Sequence, residues 1–215
     1  MRLIAFILAL MVTTPSQANE SALIQAAARN DVASIRQMIA KGANLEARDT
    51  SGRTALLAAT HANAIEAARV LIDAGADVNA MDDIQDSPYL YAGAEGRLEI
   101  LEMTLAAGAD LKSVNRYGGT ALVPAAHHGH VEVVRRLLKT ETDIDHVNNL
   151  GWTALLEAVI LGDGSSTYIE IVRLLVDAGA DVNIADGEQV SPLVHAEQRE
   201  FKEIAAILRA AGAKR

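Results

Sequence analysis

The stretch 117–149, YGGTALVPAAHHGHVEVVRRLLKTETDIDHVNN, decides the fold because partial copies of it recur along the chain at a spacing of 33 residues. Its Thr-Ala-Leu opening has counterparts at Ser21-Ala22-Leu23, Thr54-Ala55-Leu56, Ser87-Pro88-Tyr89, Thr153-Ala154-Leu155 and, five residues late, Ser191-Pro192-Leu193. A second landmark near the end of each copy keeps the same spacing, at Gly42, Gly75, Gly108, Glu141, Gly179 and Gly212. Two independent landmarks therefore indicate six repeated units.

The period, the Thr-Ala-Leu opening, the Gly129-His130 midpoint and the closing GADVN of Gly75–Asn79 and Gly179–Asn183 together resemble the ankyrin repeat. The resemblance covers the chain from about Asn19 to Arg215. It implies an all-α solenoid of about six helix-turn-helix units with short β-hairpin loops. We expect one domain over 19–215, with repeats near 20–49, 51–83, 84–116, 117–149, 150–187 and 188–215.

The first 18 residues have the pattern of a bacterial export signal. Arg2 provides a positive start, Leu3 to Val12 form an apolar run, and Ser16-Gln17-Ala18 form a small-residue cleavage site. An apolar run this short does not reach the about 20 residues that a membrane-spanning helix needs. We therefore predict a mature chain that starts at Asn19, is periplasmic or secreted, does not insert into the membrane and is a monomer.

Charge and cysteine content narrow the possible partners. The chain has 19 basic and 28 acidic residues, for a formal charge of -9, which argues against binding to nucleic acid or anionic lipid. It has no cysteine, so its stability must come from packing and not from disulfides. An exported bacterial protein fits both observations.

Three places depart from the repeat pattern. In the third repeat, Tyr89 and Tyr91 are expected to fill the space left by Gly93 and to send their hydroxyls to the edge. In the fourth repeat, Pro124 removes a backbone donor early in a helix, so a local distortion is expected. Replacement of the helix-ending Gly-Ala by Glu141-Thr142 predicts a loose helix exit, and the extra residues 163–167 predict a flexible polar turn.

Catalytic and metal-binding patterns are weak. The sequence contains no cysteine, no Gly-x-Ser-x-Gly motif, no phosphate-binding glycine loop and no zinc-protease histidine pair. Acidic residues recur only with the repeat, at Asp77, Asp110, Asp143 and Asp181, which is typical of turn hydrogen bonding. His127, His128 and His130 form a possible metal patch. Because the family resemblance gives His130 a structural role, we predict no enzyme activity, no metal and no cofactor.

Protein binding is the stronger hypothesis. The resemblance implies that partners contact the variable positions before the capping Thr and at the end of each first helix. The candidate binding residues are Arg53, Arg116, Tyr117, His127, His128, Leu150, Trp152, Ile160 and Leu161. Aromatic and aliphatic side chains outnumber charged ones here, as in binding hot spots, although Trp152 could instead pack on the next hairpin. Binding is expected to centre on the fourth and fifth repeats, beside the 163–167 insertion.

The sequence therefore predicts a non-catalytic protein–protein interaction module that uses its concave face in the periplasm. The identity of the partner protein stays open. Two alternatives also stay open: a periplasmic inhibitor or immunity-like protein for one enzyme, and a hydrolase or metal-binding protein that uses the histidine patch.

Overall fold

The computed structural model describes residues 15–215, with side chains from Ser21 onward. This part of the chain is all-helical and contains no β-strand, which confirms the predicted fold class. Its twelve helices are α1 (Pro15–Ala28), α2 (Val32–Ala40), α3 (Ala55–His61), α4 (Ile65–Asp73), α5 (Pro88–Ala94), α6 (Leu98–Ala106), α7 (Leu122–His127), α8 (Val131–Leu137), α9 (Ala154–Ile160), α10 (Ser166–Asp177), α11 (Pro192–Gln198) and α12 (Lys202–Ala210).

The helices form two layers. The first helices of the repeats (α1, α3, α5, α7, α9 and α11) pack one on the next, and the second helices (α2, α4, α6, α8, α10 and α12) form a parallel row behind them. The core between the layers consists mainly of buried alanine, leucine, isoleucine and valine. The small alanine side chains allow the first helices to approach closely. Each repeat contacts only its neighbours in the stack, so it buries its apolar side against them.

Most first helices begin at a hydroxyl cap. The side-chain oxygen accepts the backbone N–H three residues later at Thr54, Ser87, Thr153 and Ser191. Such a cap satisfies one of the four N–H groups that a helix start leaves without a partner. The recurring Thr or Ser therefore fixes the start of α3, α5, α9 and α11.

The fourth repeat lacks this cap. Pro124 has no N–H to donate to the Thr120 carbonyl, and the Val123 N–H donates to that carbonyl instead at 3.2 Å. Helix α7 consequently starts only at Leu122, and the buried Thr120 hydroxyl has no hydrogen-bond partner within the described residues. The expected local distortion is confirmed.

The loops between repeats turn back on themselves without forming strands. In each loop an Asp or Asn side-chain oxygen accepts the backbone N–H groups two and four residues later, at Asp49, Asp82, Asn115, Asn148 and Asp186. Neighbouring loops are also joined: the Asn149 N–H donates to the Tyr117 carbonyl at 2.9 Å. These bonds fix the direction in which the loop tips point.

The recurring acidic residues have the structural role expected of them. Asp77, Asp110, Asp143 and Asp181 each accept the backbone N–H two residues later, at 2.8 to 3.2 Å. The turn interpretation of these carboxylates is therefore confirmed.

The third repeat differs from expectation in one tyrosine. Tyr89 is fully buried, and its hydroxyl has no hydrogen-bond partner among the described residues, so the prediction that it reaches the edge is wrong. Burial raises the pKa of Tyr89 to about 12. Gly93 leaves room for the next repeat and not for a tyrosine ring, because a Cβ on it would lie 2.8 Å from Cβ of Ala121.

Two other expectations also change. The 163–167 insertion is not wholly a turn, because Ser166 and Thr167 begin α10, which has 12 residues where α4 has 9. In the fourth repeat, α8 ends early at Leu137, and the Thr140 hydroxyl accepts the Thr142 N–H at the exit. Side-chain bonds there replace the glycine turn of the other repeats.

Residues 1–14 of the predicted signal lie outside the described residues, and the predicted cleavage position after Ala18 falls on the backbone of α1. None of the described helices is long and apolar enough to cross a bilayer.

Candidate functional site

A groove of about 420 Å³ crosses the loop side of the third, fourth and fifth repeats. Its lining residues come from the loops and from the first helices. They are Asp86, Asn115, Arg116, Tyr117, Gly119, Asn148 and Leu150 of the loops, and Tyr91, Ala94, Glu95, Val123, Pro124, His127, His128, Glu157 and Leu161 of the first helices and their ends. We call this surface the central groove.

The structure brings six of the nine candidate residues together in the central groove. These six are Arg116, Tyr117, His127, His128, Leu150 and Leu161. None of the residues 163–167 lines it, so the insertion does not flank the site as expected. The insertion packs instead on the sixth repeat, because a Cβ on Gly164 would lie 2.5 Å from the Phe201 ring.

The other three candidates lie elsewhere. Arg53 forms an ion pair with Asp49 at 2.8 Å beside a separate cavity of about 500 Å³ between α1 and α3. Trp152 is half-buried, and its backbone N–H is held by Asn148. Ile160 is half-buried, and its carbonyl accepts the Arg199 guanidinium. Trp152 and Ile160 do not line the central groove.

Exposed apolar side chains mark both sides of the central groove. Tyr117 and Leu150 at the loop tips are 54% and 55% exposed, and Leu161 at the end of α9 is 41% exposed. Ile84, at the same loop position one repeat earlier, is 49% exposed. The corresponding tips of the flanking repeats are Ser51 and Glu188. The apolar row of loop tips is therefore confined to the third, fourth and fifth repeats.

Arg116 joins two neighbouring loops at the rim. Its guanidinium lies 3.4 Å from the Asp86 carboxylate and stacks over the Tyr117 ring, with Cζ 4.8 Å from the ring centre. Burial raises the pKa of Asp86, although the Arg116 charge opposes that shift. Because the Arg116 guanidinium contacts both side chains, it orients Tyr117 and balances the charge of Asp86.

Glu157 forms the floor of the central groove. Its side chain is only 7% exposed. One carboxylate oxygen accepts the Asn148 Nδ2 donor at 2.8 Å, and the other lies 3.3 Å from Nδ1 of His127. Burial raises the pKa of Glu157 to about 7, against the opposing effect of the Asn148 hydrogen bond. Among the described side chains, no lysine or arginine forms an ion pair with it.

The histidines pack on one another and on the repeat framework. His127 and His128 stack with ring centres 4.3 Å apart. Burial, and then the charge of His128, lower the pKa of His127, and burial also lowers the pKa of His130. A Cβ on Gly96 would lie 2.6 Å from the His130 ring, so His130 fills the turn of the preceding repeat. From Ser21 onward, no three His, Cys, Asp or Glu side chains are placed to hold a metal ion.

Glu157 was missed by the sequence analysis. It occupies the variable first-helix position that corresponds to Ala58, Tyr91 and Pro124 in the earlier repeats. The available signal was a carboxylate inside an otherwise apolar helix, in the run ALLEAVI of α9. Only the three-dimensional packing shows that this carboxylate is buried and faces the central groove.

Comparisons with known proteins agree on the architecture. A family model described as ankyrin repeats in three copies matches residues 4–82 and 89–186. The chain is similar to a crystallised ankyrin repeat domain from Acinetobacter baumannii, at 58% identity and a TM-score of 0.89, over 91% of this chain and all of that one. It is also similar to the crystallised ankyrin repeat protein EF0377, at 44% identity and a TM-score of 0.85, over 88% of this chain and 97% of that one.

Two further relatives are more distant or shorter in overlap. The ankyrin repeat domain of Bcl-3, a member of the IkappaB family, matches at 26% identity and a TM-score of 0.81, over 94% of this chain and 88% of that one. The putative ankyrin repeat protein YahD of Escherichia coli K12 matches at 44% identity over 57 residues, 26% of this chain and 28% of YahD. The match thus spans less than a third of this curated relative.

Proposed function

The chain belongs to the ankyrin-repeat family, and on this premise we propose that it is a non-catalytic module that binds another protein in the central groove. Ankyrin repeat domains mediate protein–protein interactions and are generally not catalysts. The observation that carries the proposal is the grouping of Tyr117, Leu150 and Leu161, all exposed, around one groove. Exposed apolar groups gathered at one concave site are typical of a binding surface.

The proposed location is the periplasm, with the module acting as a monomer. The support is the export-like pattern of residues 1–18, together with a cysteine-free chain. Expression with export should give a product that starts at Asn19, measured as an intact mass. A product that keeps residues 1–18 and stays in the membrane fraction would contradict export with cleavage.

The binding site can be tested by affinity capture from a periplasmic extract. A partner captured by the wild-type protein should be lost with the double variant Tyr117→Ala and Leu150→Ala. Truncation of a central anchor costs about 2 kcal/mol or more, which is roughly thirtyfold in affinity for each residue. The circular dichroism spectrum should stay helical, because both side chains are exposed and the loop hydrogen bonds use backbone and Asn atoms.

The matched control is the double variant Ser51→Ala and Glu188→Ala. These residues occupy the same loop position in the repeats that flank the central groove. The control should capture the partner as the wild-type protein does. Equal capture by all three proteins would place the binding site outside the central groove.

A further inference from the structure

The charge of Glu157 is not balanced by the fold. Its two polar contacts, Asn148 Nδ2 and His127 Nδ1, come from an amide and from a histidine whose pKa is lowered. A buried carboxylate without a cation is costly, because desolvation disfavours its charged form. The fold thus keeps a buried acid without a lysine or arginine partner among the described side chains at the floor of an open groove, although a glutamine there could make the same hydrogen bond to Asn148.

The other charges that line the central groove do not supply the missing cation. Asp86 and Glu95 are acidic, and Arg116 is the one lysine or arginine among the described lining residues. Arg116 is already paired with Asp86 at 3.4 Å. The groove therefore offers an acidic floor and an apolar rim, and an acidic partner segment would find no unpaired lysine or arginine among the described lining residues.

We propose that the central groove recognises a partner segment that places a basic side chain, arginine or lysine, against Glu157 and apolar side chains against Tyr117 and Leu150. This inference rests on the proposed function and specifies its partner. The geometry supports it, because Asn148 holds Glu157 in place at 2.8 Å and Glu157 lines the same groove as Tyr117 and Leu150. A preorganised carboxylate that is largely buried gains more from an incoming cation than one fully in water does.

A random peptide library displayed on phage tests the inference on the full chain. Peptides enriched by the wild-type protein should contain arginine or lysine next to apolar residues. Selection on Glu157→Gln should lose the preference for basic residues, since glutamine keeps the shape and the Asn148 hydrogen bond but not the charge. Selection on Glu188→Gln, which removes an exposed acid at the loop tip of a flanking repeat outside the groove, should keep the preference.

An enriched peptide then allows a direct measurement. Replacing its arginine with citrulline, which has the same shape without the charge, should weaken binding to the wild-type protein about tenfold. The same replacement should change binding to Glu157→Gln less than twofold.

Several outcomes would overturn the inference: no enrichment at all, enrichment of peptides without basic residues, or an equal citrulline effect on both proteins. If the proposed function itself failed, enriched peptides would bind the double variant Tyr117→Ala and Leu150→Ala as well as they bind the wild-type protein. Failure of the inference alone would look different. Peptides that lack basic residues but lose binding with Tyr117→Ala and Leu150→Ala would refute the role of Glu157 and leave the groove as the binding site.

Discussion

Replacing Glu157 with glutamine should stabilise the fold at about pH 8 and leave it unchanged near pH 4. The pKa of Glu157 rises from 4.5 to about 7 on folding. The fold therefore favours the protonated acid, and the stability that this form contributes is complete below about pH 4.5 and lost as the pH rises through 7. Glutamine imitates the protonated acid at every pH.

The magnitude follows from the two pKa values. A difference of one pH unit between the folded and unfolded pKa is worth about 1.4 kcal/mol. Ionisation of Glu157 should therefore lower the free energy of unfolding by up to about 3 kcal/mol. This is a large share of the roughly 5–15 kcal/mol that stabilises a typical domain.

Urea unfolding followed by circular dichroism, at several pH values from about 4 to 8, measures this effect. With m-values of about 1–3 kcal/mol/M, the unfolding midpoint of Glu157→Gln should exceed that of the wild-type protein by on the order of 1 M at the highest pH. Glu95→Gln, at an exposed rim position, is the control and should show no such pH-dependent gain. If Glu157→Gln were no more stable than the wild-type protein at high pH, the carboxylate would have a favourable partner in the fold, and the reasoning would fail.

Two further predictions concern buried hydroxyls, and both are read out as urea unfolding midpoints. Thr153→Val should cost about 1 kcal/mol because the Thr153 hydroxyl caps α9, whereas Thr120→Val should cost nothing, because that hydroxyl caps no helix and has no partner among the described residues. Equal losses at the two sites would contradict the capping account. Tyr89→Phe should raise stability by about 1 kcal/mol, since it removes a buried hydroxyl that makes no hydrogen bond within the described part of the chain; a clear loss would indicate a bound water or another partner there.

The repeat pattern predicted the helices because the residues that start and end each helix recur with it. The capping hydroxyls and the glycines after the second helices mark backbone positions that few residue types can occupy, and the absence of an N–H on Pro124 has a local effect that needs no tertiary information. The insertion was harder to predict, since Ser166 and Thr167 belong to a polar run typical of a turn and yet form the first turn of α10. Local signals therefore determined local structure well.

The central groove could be predicted only in part. The repeat positions identified Tyr117, Leu150 and Leu161 as exposed candidates, which agrees with their exposure. Position alone could not separate them from Trp152, because whether a side chain lines the groove depends on the direction of each loop. Glu157 was missed for a related reason: the polar contacts of its carboxylate, Asn148 and His127, both come from the preceding repeat.

Hydrogen–deuterium exchange of the full chain, with and without a captured partner, tests the central claim most directly. Binding in the central groove should slow amide exchange at the loop tips around Ile84, Tyr117 and Leu150, and leave the tips at Ser51 and Glu188 unchanged. Slower exchange confined to the second-helix row, or to the flanking tips, would contradict the assignment of this groove as the protein-binding site.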